Sequence, residues 1–272
     1  LLCRAERLRG GDILLTLPSV GATENAILAA CGAEGTTIIS NAAREPEIVD
    51  LQDFLQKLGA DVHGAGTSTI TVRGGGVRHG CVHRCIGDRI AAATYLCAAA
   101  AAGGQVTLRG VDYRHLATVT TALGQAGCRL QCTEDSITLE SDGRLRAIPP
   151  VRTSPYPGFP TDAQAPLMAA LLRSEGAVMF VENMFDSRYR HVPELVRMGA
   201  DIRLEGRVAV VYGTRELHGA AVRCTDLRGG AALAIAALQT PDATLIHEIY
   251  QRGYQDMAGD LRALGADAAV EV

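Results

Sequence analysis

From residue 12 to residue 73 the apolar positions switch between two spacings. Asp12 to Leu17 reads as a strand, and Ala22 to Ala33 as an apolar helix that Gly35 is expected to stop. Thr36 to Ser40 is β-branched and predicts a second strand. Pro46 then stands where prolines open helices, ahead of Ile48, Leu51, Phe54, Leu55 and Leu58 on one helical face. Gly59 ends that helix, and Asp61–His63 and Ser68–Arg73 form a hairpin across Gly64-Ala65-Gly66. The unit is therefore β-α-β-α-β-β.

The unit recurs. An apolar helical run ending in a small residue and Gly appears at Leu58-Gly59-Ala60-Asp61, Ala126-Gly127-Cys128-Arg129, Met198-Gly199-Ala200-Asp201 and Leu264-Gly265-Ala266-Asp267. Its glycines fall 68, 72 and 66 residues apart. A second landmark keeps the same phase: Glu34-Gly35, Gly103-Gly104, Glu175-Gly176 and Pro241-Asp242. Four copies in series predict an α/β repeat architecture. The fourth ends after one strand of its hairpin, so that strand needs a partner from elsewhere.

Composition narrows the class. At 272 residues and 47% hydrophobic, the chain is long and apolar enough to fold around one or two cores without disulfide or metal staples. No run approaches the roughly 18 apolar residues of a membrane helix. A net charge of −4 with 4% aromatic residues argues against nucleic acid. The basic residues are 25 Arg and one Lys, Lys57. Several of the eight cysteines, Cys31 and Cys97 among them, occupy small apolar positions, which reads as reduced thiols in a cytoplasmic protein.

Three segments carry a resemblance: Ser19-Val20-Gly21-Ala22-Thr23-Glu24-Asn25, Asn41-Ala42-Ala43-Arg44-Glu45-Pro46-Glu47-Ile48, and Tyr156-Pro157-Gly158-Phe159-Pro160-Thr161-Asp162. Together with Thr225-Asp226-Leu227-Arg228 and Arg252-Gly253-Tyr254, they resemble the enolpyruvyl transferases of the UDP-N-acetylglucosamine 1-carboxyvinyltransferase type. The resemblance implies an inside-out α/β barrel fold of two lobes with three repeat units each. Residues 1–86 would be the last unit of one lobe and 87–272 nearly all of the other, with Asp88-Arg89 at the crossing point. Four units against six, and an opening Leu1 rather than Met, imply roughly 140 further residues ahead of residue 1.

The implied reaction moves the enolpyruvyl group of phosphoenolpyruvate to the 3-hydroxyl of UDP-N-acetylglucosamine, by addition and then elimination of phosphate. It opens peptidoglycan synthesis and so bears on cell-wall biogenesis, cell shape and division. No cofactor, metal, nucleic acid or membrane is implied. Asp162 matches the base for the sugar hydroxyl, at the start of an apolar helix whose positive end favours a carboxylate. From spacing alone, Thr161 or Asp162 reads first as a helix cap, and the surrounding Tyr156–Thr161 motif reverses that balance. Pro166 deletes the hydrogen bond to the Asp162 carbonyl and predicts a delayed helix start.

Arg228 and Arg252 match arginines that hold phosphoenolpyruvate, a task suited to a planar guanidinium that never loses its charge. Arg228 precedes Gly229-Gly230 and an apolar helix, where backbone N–H groups also welcome an anion. Two residues are missing just before Arg252. Arg188, after Met184-Phe185-Asp186-Ser187, resembles a further active-site arginine, and Met184 an apolar residue beside the sugar. Leu17, Pro18, Ser19 and Val20 match the sugar-nucleotide segment, although the family carries a basic residue at Leu17 and Ser19 is equally a plain cap.

The family's Lys-Asn pair has no counterpart, since Lys57 lies mid-helix. None of the eight cysteines has the neighbours of the family's general acid. A second reading is therefore a non-catalytic remnant that keeps the fold and sugar-nucleotide binding. His79, Cys81, His83 and Cys85 alternate, so a strand would place all four on one face. At roughly 6.5–7 Å between alternate residues, at most two adjacent ones could share a zinc ion, which favours an ordinary buried strand. Gly64-Ala65-Gly66 and Gly74-Gly75-Gly76 lack nucleotide-loop spacing and read as turns.

Overall fold

The computed structural model describes residues 4–249 and 253–270. Strand β1 (Asp12–Leu14), helix α1 (Val20–Cys31), β2 (Thr36–Ser40), α2 (Pro46–Lys57), β3 (Asp61–His63) and β4 (Thr69–Arg73) form the first copy of the repeat. The second holds α3 (Arg89–Ala102), β5 (Gly104–Arg109), α4 (Ala117–Ala126), β6 (Arg129–Cys132) and β7 (Ser136–Ser141). The third holds β8 (Val151–Arg152), α5 (Thr161–Ala170), β9 (Ala177–Val181), α6 (Val192–Arg197), β10 (Asp201–Glu205) and β11 (Val208–Tyr212). The fourth holds β12 (Ala221–Arg223), α7 (Leu227–Ala237), β13 (Leu245–His247) and α8 (Met257–Ala263).

The pairing repeats with the sequence. The first copy orders its sheet β1-β2-β4-β3 and the third orders its own β8-β9-β11-β10, with parallel β1/β2 and β8/β9 pairs and antiparallel neighbours thereafter. The second copy shows the same sheet without its first strand, β5-β7-β6, and the fourth only the parallel pair β12-β13. A close approach recurs too. A Cβ on Gly74 would sit 1.7 Å from the Ala33 carbonyl oxygen, and one on Gly213 would sit 1.6 Å from that of Ser174. Only glycine fits where each hairpin strand passes the preceding loop.

The chain divides into two compact units, Leu1–Ile86 with Pro155–Pro157, and Gly87–Ser154 with Gly158–Val272. In the first unit, Ile27, Ile39, Ile48, Val62, Ile70 and Val72 are wholly buried between α1, α2 and one sheet face. The alternation along β4, with Ile70 and Val72 in and their neighbours out, is what such a one-sided sheet demands. In the second unit the first helices of three successive copies, α3, α5 and α7, pack against one another in the interior. Ala93, Ala100, Ala163, Ala169, Ala232 and Ala236 are at or near full burial there, and such small side chains let the helices approach closely. Among the described residues no sheet closes on itself.

Several expected boundaries move. Strand β1 stops at Leu14 rather than Leu17. Helix α1 begins at Val20, because Ser19 caps it, and ends at Gly32 rather than continuing toward Gly35, whose φ of 91° serves the turn into β2. Helix α5 starts on time at Thr161 with Pro166 inside it. Burial among other helices outweighs the one lost hydrogen bond. Residues 79–85 form no strand. The Arg78 and His79 amides instead donate to the Leu58 carbonyl at the end of α2, at 2.8 and 3.3 Å, which commits them away from a ladder. The strand expected after Gly265 is likewise absent from the described residues, where nothing pairs with it. No disulfide joins the cysteines among the described residues. No helix of the described residues is long and apolar enough to cross a membrane.

Candidate active site

Asp162 occupies the first turn of α5, with Pro160 at the N-cap. Its carboxylate is therefore not spent as a cap. Oδ1 accepts from Arg188 Nη2 at 2.5 Å, and Oδ2 accepts from Arg228 Nε and Nη2 at 3.4 and 3.3 Å. One carboxylate thus holds two guanidiniums from loops and helices 26 and 66 residues away in sequence. Its side chain is 41% exposed, while those of Arg188 and Arg228 are 16% and 9% exposed. Charge is concentrated in a half-open site whose cationic members are withdrawn from water and whose anionic member faces it.

Each arginine is aimed by a second set of contacts. Arg188 Nη2 also donates to the Thr161 carbonyl at 3.3 Å, and its guanidinium lies 5.6 Å from the centre of the Phe185 ring. Arg228 Nη1 donates to the Tyr254 hydroxyl at 3.0 Å, with that ring 5.5 Å from the guanidinium carbon. The same hydroxyl lies 2.8 Å from Thr94 Oγ1 on α3. Burial alone would lower the Arg228 pKa, but Tyr254 and Asp162 outweigh it and hold the guanidinium above its ordinary value. The N-terminus of α7 is not open to an anion, as the sequence suggests it to be. Asp226 Oδ1 already accepts from the Arg228 and Gly229 amides, both at 3.0 Å.

Beneath this pair lies Glu182, wholly buried just after β9. Its Oε2 accepts from the Thr161 hydroxyl at 3.0 Å, and Oε1 accepts from the Met184 and Phe185 amides at 2.8 and 3.1 Å. A buried carboxylate needs such donors, and here they tie the start of α5 to the half-buried Met184. His191, also wholly buried, has no hydrogen-bond partner for either ring nitrogen among the described residues. Burial pushes its pKa down to about 4, so the ring is neutral at pH 7.

Leu17, Pro18, Ser19 and Val20 belong to the first unit. Leu17 is 71% exposed, and Ser19 Oγ accepts from the Ala22 amide at 3.3 Å as the cap of α1. Arg252 lies outside the described residues. Glu182 and Thr94 carry no signal that the sequence reading uses, and Phe185 and Tyr254 enter it only as motif neighbours of Arg188 and Arg252. An acidic residue directly after the apolar run Val178–Val181 was the available signal for Glu182.

A family model described as EPSP synthase (3-phosphoshikimate 1-carboxyvinyltransferase) matches residues 1–261. The chain belongs to that family. Curated relatives that it matches include UDP-N-acetylglucosamine 1-carboxyvinyltransferases. It is 46% identical over 267 residues to UDP-N-acetylglucosamine 1-carboxyvinyltransferase 2 of Caldanaerobacter subterraneus, covering 97% of this chain and 64% of that protein. It is 48% identical over 262 residues to UDP-N-acetylglucosamine 1-carboxyvinyltransferase of Zymomonas mobilis, covering 96% and 61%. The chain thus spans less than two thirds of the length of these relatives. Among solved structures, the enolpyruvyl transferase NikO from Streptomyces tendae superposes with a TM-score of 0.88 at 28% identity, over 97% of this chain and 66% of that one. EPSP synthase from Acinetobacter baumannii shares the fold with a TM-score of 0.74.

Proposed function

We propose that this chain is part of a cytoplasmic enzyme that transfers the enolpyruvyl group of phosphoenolpyruvate to the 3-hydroxyl of UDP-N-acetylglucosamine, as the names of its relatives suggest, in peptidoglycan synthesis. In this reading, residues 1–86 are the last repeat of one lobe and 87–272 most of the other. The observation that carries the reading is the Asp162 carboxylate held between Arg188 and Arg228. Phosphoenolpyruvate brings a phosphate and a carboxylate, each a bidentate match for a guanidinium.

When the anionic substrate enters, Arg188 and Arg228 exchange Asp162 for its oxygens, and Arg252 joins them in holding it. Asp162 is released to accept the proton of the attacking sugar hydroxyl, and the arginines hold the charge that grows on the departing phosphate. Met184 packs beside the sugar ring. The segment Leu17-Pro18-Ser19-Val20 meets the sugar nucleotide at the start of α1. Addition also needs a proton donor to the methylene carbon, and no residue of this chain is assigned that role.

The test is phosphate release by the protein, given both substrates, together with calorimetric titration of each substrate. Release that requires both and disappears in Asp162→Asn supports the reading. No release, with neither substrate bound, overturns it.

A further inference from the structure

The face of α2 carrying Asp50, Phe54 and Lys57, spaced four and three residues apart, closes on a single side chain, His83. Asp50 Oδ1 lies 3.0 Å from His83 Nε2, the Phe54 ring stands 5.4 Å from the imidazole at a 57° tilt, and Lys57 Nζ lies 3.1 Å from Nδ1. The His83 side chain is only 7% exposed although residues 79–85 have no regular structure. Cys85, two residues on and exposed, completes a group. One ligand atom each from Asp50, His83 and Cys85 lie within 4.8 Å of one another. Among the described residues no other set of three such side chains converges in this way.

We propose that Asp50, His83 and Cys85 form a binding site for a borderline-soft divalent transition ion of the zinc class. The site is independent of the transferase reading, and the ion pins the 83–85 segment to α2. Nitrogen, oxygen and sulfur ligands together are a zinc donor set. Bonds of about 2.0–2.3 Å place tetrahedral ligand atoms roughly 3.3–3.7 Å apart, a spacing these atoms reach by small side-chain rotations. Three protein ligands leave a fourth position for water.

Lys57 fixes the proton accounting. Its ammonium can only donate, so Nδ1 accepts and the neutral ring carries its proton on Nε2, toward Asp50. When the metal takes Nε2, that proton passes to Nδ1 and the Lys57 ammonium swings off, still charged. The Cys85 thiol loses one proton to solvent. With one carboxylate and one thiolate, the divalent ion is left neutral overall. Lys57 is then a competitor, and its removal should tighten binding.

Titration of the intact chain with cobalt(II) chloride, followed by absorption, tests this. A thiolate-to-cobalt charge-transfer band is expected to saturate at one ion per chain and to vanish on adding zinc(II). Cys85→Ser should abolish the band, Asp50→Asn should weaken binding at least tenfold, and Cys81→Ser should leave it intact. Lys57→Ala, an exposed change outside the proposed active site, should tighten binding severalfold. No band at saturating cobalt, or a band that survives Cys85→Ser, overturns the proposal.

Discussion

The Tyr254 hydroxyl sits at the end of the Arg228 guanidinium, accepting from Nη1 at 3.0 Å while the ring supports it from 5.5 Å away. Tyr254→Phe keeps the ring and removes only the acceptor. It leaves a nine-tenths buried guanidinium short of one partner and the Thr94 hydroxyl without its neighbour. Affinity for phosphoenolpyruvate is expected to fall severalfold, the equivalent of about 1 kcal/mol for one hydrogen bond. Calorimetry on both proteins checks this, and unchanged affinity would show that Arg228 is aimed by Asp162 alone.

Glu182 works through others rather than on a substrate. Glu182→Gln exchanges one accepting oxygen for an amide that must face either the Thr161 hydroxyl or two backbone N–H groups. Chemical denaturation should show a loss of about 2 kcal/mol. If Glu182 also positions Asp162, turnover falls while the affinity for UDP-N-acetylglucosamine changes less. A variant as stable as the parent would falsify the role given to those three hydrogen bonds.

His191 predicts a pH dependence. Its pKa falls from an ordinary 6.5 in the unfolded chain to about 4 in the fold. Between those values the unfolded chain holds a proton that the folded one does not, so stability declines as the pH drops from 6.5 toward 4. The contribution is complete above 6.5 and amounts to about 3 kcal/mol at most. Urea unfolding at pH 7 and pH 4.5 should show a shallower loss in His191→Gln than in the parent. Identical slopes would mean that other groups dominate the window.

Pro166 sits inside α5 and withholds a hydrogen bond from the Asp162 carbonyl. Pro166→Ala restores the amide, worth about 3 kcal/mol in a helix interior, and loses two buried methylenes at about 0.8 kcal/mol each. A net gain of about 1 kcal/mol is expected. Thermal unfolding decides it, and a lower melting temperature would show that the ring fills space the helix cannot surrender.

The repeat was legible because glycine performs backbone work that other residues perform poorly. Gly59 and Gly199 end helices α2 and α6 at φ of 86° and 94°, so their spacing survives in the sequence whatever surrounds them. Asp162, Arg188 and Arg228 were legible only as pieces of family motifs. No local pattern says that positions 26 and 66 residues apart share one carboxylate. Glu182 was silent because its Thr161 partner comes from another element, and His191 because its burial is set by packing that no local pattern reports. The alternation from His79 to Cys85 misled because period two describes any extended chain, paired or not. What placed that segment was the Leu58 carbonyl, a backbone group that no side-chain pattern reports.

Asp162 lies in the first turn of helix α5 and Arg228 in the first turn of α7, and both helices run back into the interior beside α3. The carboxylate and its arginine are thus mounted on the ends of two struts clamped along most of their length. Heat that loosens the clamp moves the tips in the same event, so the arrangement of charges has no melting point of its own.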